Sequence, residues 1–236
     1  MTITDQVLSP LLRADPARPR ITHYDDDAGS RVELSGATLA NWAAKTANWL
    51  RDELDVQPGD AVAVLLPPHW QTAGALLGAW WCGATVTTSP DNAAVALCGV
   101  DRIAEAAAAD ELAALGLDAL GLGIAVLPPG VRDFASEVRV HGDTFAPGGP
   151  GPEDETVLAS ARARAATLEL APGDRLLCTT SWNASVPGEV LLAVLASDAS
   201  LVQCTGTEPA MLAHRCTTER VTATLGIDVP ALRRAG

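Results

Sequence analysis

Two short stretches of this sequence set aromatic and polar side chains where a strand gives way to a helix. In LPPHWQTAG (66–74), His69 and Trp70 begin the helix. A histidine at a helix N-terminus loses proton affinity and can serve as a hydrogen-bond donor. In CTTSWNASVPGE (178–189), Thr180, Trp182 and Asn183 fall beyond the end of a strand, where ligands of parallel sheets sit. Each stretch also has a plain structural reading. His69 can be a partly exposed structural histidine, and Thr179 to Asn183 can form a capped turn with Trp182 in the core.

Other chemistries find less support. His23, His141 and His214 lack the spacing of metal ligands. No G-x-S-x-G elbow gives Ser89, Ser181 or Ser185 the setting of a nucleophile. Asp60 and Asp174 recur in Pro-Gly-Asp turns, where turn capping accounts for them. Asp25, Asp26 and Asp27 read as a solvated hairpin tip. Of the 16 basic residues only Lys45 is a lysine, and it falls towards the polar side of its helix. Any mechanism that needs a lysine must use that one, for which a solvated position is the expectation.

The elements that position these residues can be read from periodicity. RITHYDD (20–26) and RVEL (31–34) form a hairpin, and a helix follows with Ser35 as N-cap. PGDAVAVLL (58–66), HWQTAGALLGAWWCG (69–83) and ATVTTS (84–89) make a β-α-β unit and hence a parallel sheet. AAVALC (93–98) reads as a strand, DRIAEAAAADELAAL (101–115) as a helix and LGIAVLP (122–128) as a strand. VRDFASEVRVHGD (131–143) stays open between helix and strand.

Residues 152–174, PEDETVLASARARAATLELAPGD, open with acids and run into Val157, Leu158, Ala161, Ala165 and Leu168, the spacing of one helix face. Arg162 and Arg164, two positions apart, point about 160–200° from each other and do not converge on an anion. Ahead of them APGGPGP (146–152) is a linker, and its three prolines remove the successive N–H groups that a phosphate nest needs. The second half then repeats the first. PGDRLLCTT (172–180) echoes 58–66, and GEVLLAVLASDASLV (188–202) echoes 74–86, 114 to 115 residues later. PAMLAHRCTTER (209–220) and VTATLG (221–226) add a helix and a strand. The expected fold is therefore α/β, with two similar βαβ-type halves, mainly parallel sheets and flanking helices. Residues 1–145 form one subdomain and 153–236 the other.

Bulk properties agree with a packed α/β protein. Hydrophobic residues make up 48%, and the net charge of −13 argues against nucleic acid and anionic membranes as partners. No apolar run reaches the ~18 residues of a membrane span, and no secretory leader opens the chain. The five scattered cysteines read as reduced core thiols of a cytoplasmic protein.

The stretch from Tyr24 to Pro90, with its tyrosine-led hairpin, Leu-Ser, long helix, Pro-Gly-Asp strand and Cys-Gly-Ala turn, resembles the opening of the AMP-forming adenylating superfamily. Residues 170–230 resemble a later part of it. The superfamily includes acyl- and aryl-CoA synthetases, luciferases and peptide-synthetase adenylation domains. The resemblance implies the fold of their N-terminal subdomains. By it, Trp182 lines an acyl or aryl pocket with Asn183 at its polar position; Thr180 and His69 are further pocket candidates from their places at the ends of strands.

Active members carry a Ser/Thr/Gly-rich loop, T-S-G-[ST]-T-G-x-P-K-G, that holds the ATP phosphates. The resemblance places it near residues 155–165, where this sequence reads ETVLASARARAATLEL. The later Y-G-x-T-E segment, the ribose-binding acid and the C-terminal domain with its catalytic lysine are not found before Gly236. The expectation is a pseudoenzyme with no catalytic residues and no cofactor, ATP or AMP entering by family resemblance alone. It would bind a small carboxylic-acid or acyl ligand, or serve a regulatory or structural role. The alternatives are an acid ligase completed by a partner chain and a homo-oligomeric assembly module.

Overall fold

A computed structural model describes residues 1–182, 187–230 and 232–235. In chain order the elements are α1 (Ile3–Ala14), β1 (Pro19–Asp25), β2 (Ser30–Ser35), α2 (Gly36–Asp52), β3 (Ala61–Leu65), α3 (Trp70–Trp81), β4 (Thr85–Thr87) and β5 (Val95–Gly99). There follow α4 (Ile103–Ala106), β6 (Glu111–Leu115), β7 (Val131–Asp133), α5 (Phe134–Val138), α6 (Asp154–Thr167), β8 (Arg175–Cys178), α7 (Glu189–Ala196), β9 (Ser200–Cys204), α8 (Pro209–Thr218), β10 (Ala223–Leu225) and β11 (Arg233–Arg234).

Two sheets result, one in the order β11-β10-β8-β9-β1-β2 and the other β4-β3-β5-β6-β7. Every pairing is parallel except the β1–β2 hairpin. Alternation along the strands sorts their side chains into layers. Val62 and Val64 of β3, and Leu176 and Cys178 of β8, face one shared core, which also holds α1, α2, α3 and α7. Ala63 and Leu65 face outward under α4. Leu177 and Val202 face outward under Leu212 and Cys216 of α8. Helix α3 packs against both β1 and β4, so the central helices lie between the sheets. Glycine permits the closest helix contact there. A Cβ on Gly78 of α3 would stand 2.4 Å from Thr46 Cβ of α2.

The repeated Pro-Gly-Asp turns are alike in geometry. Gly59 (φ 97°) donates to Gly83 O at 2.9 Å, and Gly173 (φ 91°) donates to Asp198 O at 3.1 Å. Asp60 and Asp174 each accept from the backbone N–H three residues earlier, at 2.8 and 2.9 Å. The turn capping expected of both aspartates is thus present.

Several expectations need correction. The predicted helix over 101–115 is helical only near its start, because Glu111–Leu115 enters the sheet between β5 and β7. Its alanines suit a strand covered on both faces as well as they suit a helix. Residues 122–128 form no strand. Segment 131–143 holds both alternatives, a short strand and then α5. Residues on both sides of the 146–152 segment contribute to one sheet. The β1–β2 hairpin of the first half pairs with β9 of the second, through Ile21↔Leu201 to Tyr24↔Cys204. Among the described residues no helix is long and apolar enough to cross a membrane.

Candidate functional site

Strand β3 ends at Leu65, and Pro67 and Pro68 cannot extend it because they have no N–H to donate. His69 follows as N-cap of α3, its Nδ1 accepting from Gln71 N at 3.1 Å. With Nδ1 committed as acceptor, the neutral ring carries its proton on Nε2. Burial, then the neighbouring His23, push the His69 pKa down to about 3, and Asp118 opposes them weakly. His69 is 4% exposed, not the partly exposed residue of the plain reading.

His23 of β1 meets it edge-on, ring centroids 4.4 Å apart. Burial lowers the His23 pKa as well, against the pull of Asp25. In the next strand Gln203 sits in register with His23. Gln203 Oε1 accepts from Trp182 Nε1 at 2.9 Å, and its Nε2 donates to Thr180 O at 3.4 Å. Thr180 Oγ1 lies 3.3 Å from Cys178 Sγ.

Three of the four residues singled out by sequence are therefore linked. Thr180 and Trp182 share Gln203, and His69 packs on His23, the neighbour of Gln203 in strand register. Asn183 lies outside the described residues. Gln203, His23 and Gln71 are contributors that the sequence reading missed. A signal for two of them was present in SLVQC and RITHY, where a polar residue interrupts an otherwise apolar strand face.

Beside this chain of contacts several polar atoms are buried without a partner: Trp70 Nε1 and both amide atoms of Gln71. Each such group costs about 1–3 kcal/mol. Gly121, on the loop after β6, lies over Trp70 and Gln71; a Cβ there would stand 2.9 Å from the Trp70 ring and 3.1 Å from Gln71 Nε2. With neutral imidazoles and amides, the strip can donate to and accept from a polar ligand and offers no fixed charge.

Lys45 does not extend into solvent as expected. Its Nζ donates to His141 O at 2.6 Å and Arg139 O at 3.3 Å and pairs with Asp143 at 2.9 Å. Helix α6 spans Asp154–Thr167. Asp154 accepts from Ile3 N at 3.1 Å and so fixes the start of α1 to that of α6. Glu189, in the first turn of α7, accepts from Ser160 Oγ at 2.6 Å. All five cysteines are free and buried, and burial raises their thiol pKa values, that of Cys82 to about 12. No group of three or more potential metal-binding side chains is found among the described residues.

This architecture is that of the N-terminal domains of adenylate-forming enzymes. The AMP-binding enzyme family matches residues 13–115. An anthranilate CoA ligase solved with anthranoyl-AMP superposes with a TM-score of 0.75 at 15% identity, over 96% of this chain and 49% of its own. The N-terminal domain of FACL13 from Mycobacterium tuberculosis gives 0.73 at 16% identity, over 96% and 62%. The chain thus spans between 49% and 62% of the length of these solved chains. A TIGR03089 family protein of Mycobacterium tuberculosis is 50% identical over 240 residues, covering 95% of this chain and 98% of the relative. The chain belongs to that family.

Proposed function

We propose that this acyl-CoA synthetase-like chain binds a small carboxylic-acid or acyl ligand at the Thr180–Trp182–His69 strip and does not by itself adenylate it. The observation that carries the reading is the engagement of Lys45, the single lysine of the sequence, by two carbonyls and Asp143. A lysine so held is not available to a triphosphate.

The backbone supports the same view. Where the resemblance puts the phosphate loop there is α6, whose interior amides are consumed by its own hydrogen bonds. Its N-terminus is flanked by Glu153, Asp154 and Glu155, which already answer the helix dipole and repel phosphate. The preceding 146–152 segment withholds donors at Pro147, Pro150 and Pro152. Without charge-assisted contacts to phosphate, each worth about 1.5–3 kcal/mol, attack of a carboxylate on the α-phosphorus of ATP, with release of pyrophosphate, loses its positioning.

The test is ATP–pyrophosphate exchange by the purified chain with a panel of aliphatic and aromatic carboxylic acids, alongside thermal shift with the same acids. Exchange should not exceed the acid-free blank, while at least one acid raises the melting temperature. Robust acid-dependent exchange would overturn the reading.

A further inference from the structure

The site just described lies beyond the carboxyl ends of β8 and β9. At their amino ends an open groove of about 390 Å³ is lined by Arg18, Gly173, Arg175, Ser200, Glu219 and Arg220, with Pro19. Three guanidiniums on one groove stand out on a chain of net charge −13.

The local charges do not cancel. Glu219 is held by Arg31 at 2.8 Å and by Arg175, and Glu33 by Arg31 at 2.6 Å. Asp198 is shared by Arg20 at 2.6 Å and Arg18 at 3.8 Å, and Asp174 pairs with Arg233 at 2.9 Å. Six arginines thus meet four carboxylates in these pairings once Arg220 is included, an excess of two positive charges. Arg220 makes no ion pair among the described residues. Arg20, fully buried, keeps Nε and Nη2 unpartnered, while the carboxylate of Asp198, 40% exposed, lies 2.6 Å from Arg20 and 3.8 Å from Arg18.

The backbone adds a second observation. Arg220 follows the C-cap of α8 with φ 53°, the left-handed position that glycine fills most readily. Val221 N closes that turn on Cys216 O at 2.9 Å. Glu169 after α6 and Asp198 after α7 fill the same left-handed position, and at the end of α8 it sets Arg220 at the groove.

We propose that this groove binds the phosphate dianion of a small phosphate ester. Arg18 and Arg220 supply the charge, and Arg175, fixed by Glu219, forms the floor beside the buried Ser200, whose hydroxyl donates to Asp174 O at 3.5 Å. Two uncompensated positive charges match a dianion, where a single carboxylate would satisfy one. The groove and the carboxyl-end strip are separated by the length of β8, so this site is independent of the acyl-ligand reading.

Isothermal titration of the full chain with glycerol 2-phosphate at fixed ionic strength and pH 7.5 tests it, with succinate as the dicarboxylate arm. Saturable binding of the ester is expected, weakened at least tenfold by Arg220→Gly and by Arg18→Gln. Arg220→Gly relieves the left-handed backbone, so the melting temperature should not fall and misfolding cannot account for the loss. Absence of saturable binding by the wild type, unchanged affinity in both variants, or equally tight binding of succinate would overturn the proposal.

Discussion

His23 and His69 stand edge to face, ring centroids 4.4 Å apart, at the point where the hairpin of one sheet meets the first turn of a helix that packs on the other. Neither ring has room to take a proton cheaply. Burial lowers both pKa values, and a charge on one would oppose a charge on the other. The pair is thus buried and neutral at neutral pH and a point of weakness in acid.

Stability should therefore fall with pH in a defined window. Unfolded, an imidazole is protonated near 6.5, whereas folded His69 takes its proton near 3. Between those values the unfolded chain binds more protons, so the contribution is complete above 6.5 and is lost progressively as pH falls towards 3. Burial opposes ionisation of Glu219 too, yet hydrogen bonds from Arg31, Tyr24 and Arg175 hold its pKa down to about 2. Its stabilising contribution is lost only as pH falls from about 4.5 to 2, which leaves pH 5–7 to the histidines. His69→Asn retains a capping oxygen but does not titrate. Urea unfolding should show wild-type stability dropping by a few kcal/mol from pH 7.5 to 5, with a shallower drop in the variant. Equal slopes would refute the assignment.

Lys45 offers a second test, because its role is structural. Lys45→Met removes the donor to His141 O and leaves Asp143 without its partner. Half-exposed charge-assisted bonds of this kind are worth about 1–2 kcal/mol. Denaturant midpoints should shift accordingly, with the affinity of any carboxylic-acid ligand unchanged. Loss of an ATP-dependent activity in this variant would contradict the reading of Lys45 above.

Much of this architecture was legible because period and punctuation agree along the chain. Ser35 caps α2, with its Oγ accepting from Thr38 N at 3.1 Å, and Gly83 follows α3, both as their residue types suggest. Glu111–Leu115 was misread because alanine and leucine do not distinguish a helix from a strand buried on both faces. The site was legible only in part. Trp182 and His69 are marked by their types, but the groups joining them depend on the register of β1 with β9, across about 180 residues. Local patterning carries no information about which distant strand will be a neighbour. Lys45 was misplaced for the same reason, since its partners lie 94 to 98 residues away.

The contact between α2 and α3 should tolerate no side chain at Gly78. An alanine Cβ there would stand 2.4 Å from Thr46 Cβ, 2.6 Å from Thr46 Cγ2 and 3.0 Å from Ala43 O. Overpacking of this kind costs about 1–3 kcal/mol, which outweighs the roughly 1 kcal/mol gained by replacing glycine inside a helix. Gly78→Ala should be destabilising in urea. Combined with Thr46→Gly, it should recover more than the single effects add to, because the two side chains compete for one space.

The Trp182–Gln203 bond separates a structural role from a binding role. Trp182 is 2% exposed, and its indole N–H has Gln203 Oε1 as acceptor at 2.9 Å. Gln203→Leu leaves a buried donor unpaired and should cost about 1–3 kcal/mol; Trp182→Phe leaves a buried acceptor unpaired and should cost a similar amount. The double variant removes both partners, so it should be more stable than the sum of the singles predicts, by about 1 kcal/mol or more. Additive effects in chemical unfolding would show that the bond contributes nothing net. If an acid identified by thermal shift lodges at this strip, Trp182→Phe should also change its Kd at least fivefold, because Gln203 then has an acceptor to offer the ligand. An unchanged Kd beside a lowered stability would assign Trp182 to the core and move the ligand elsewhere.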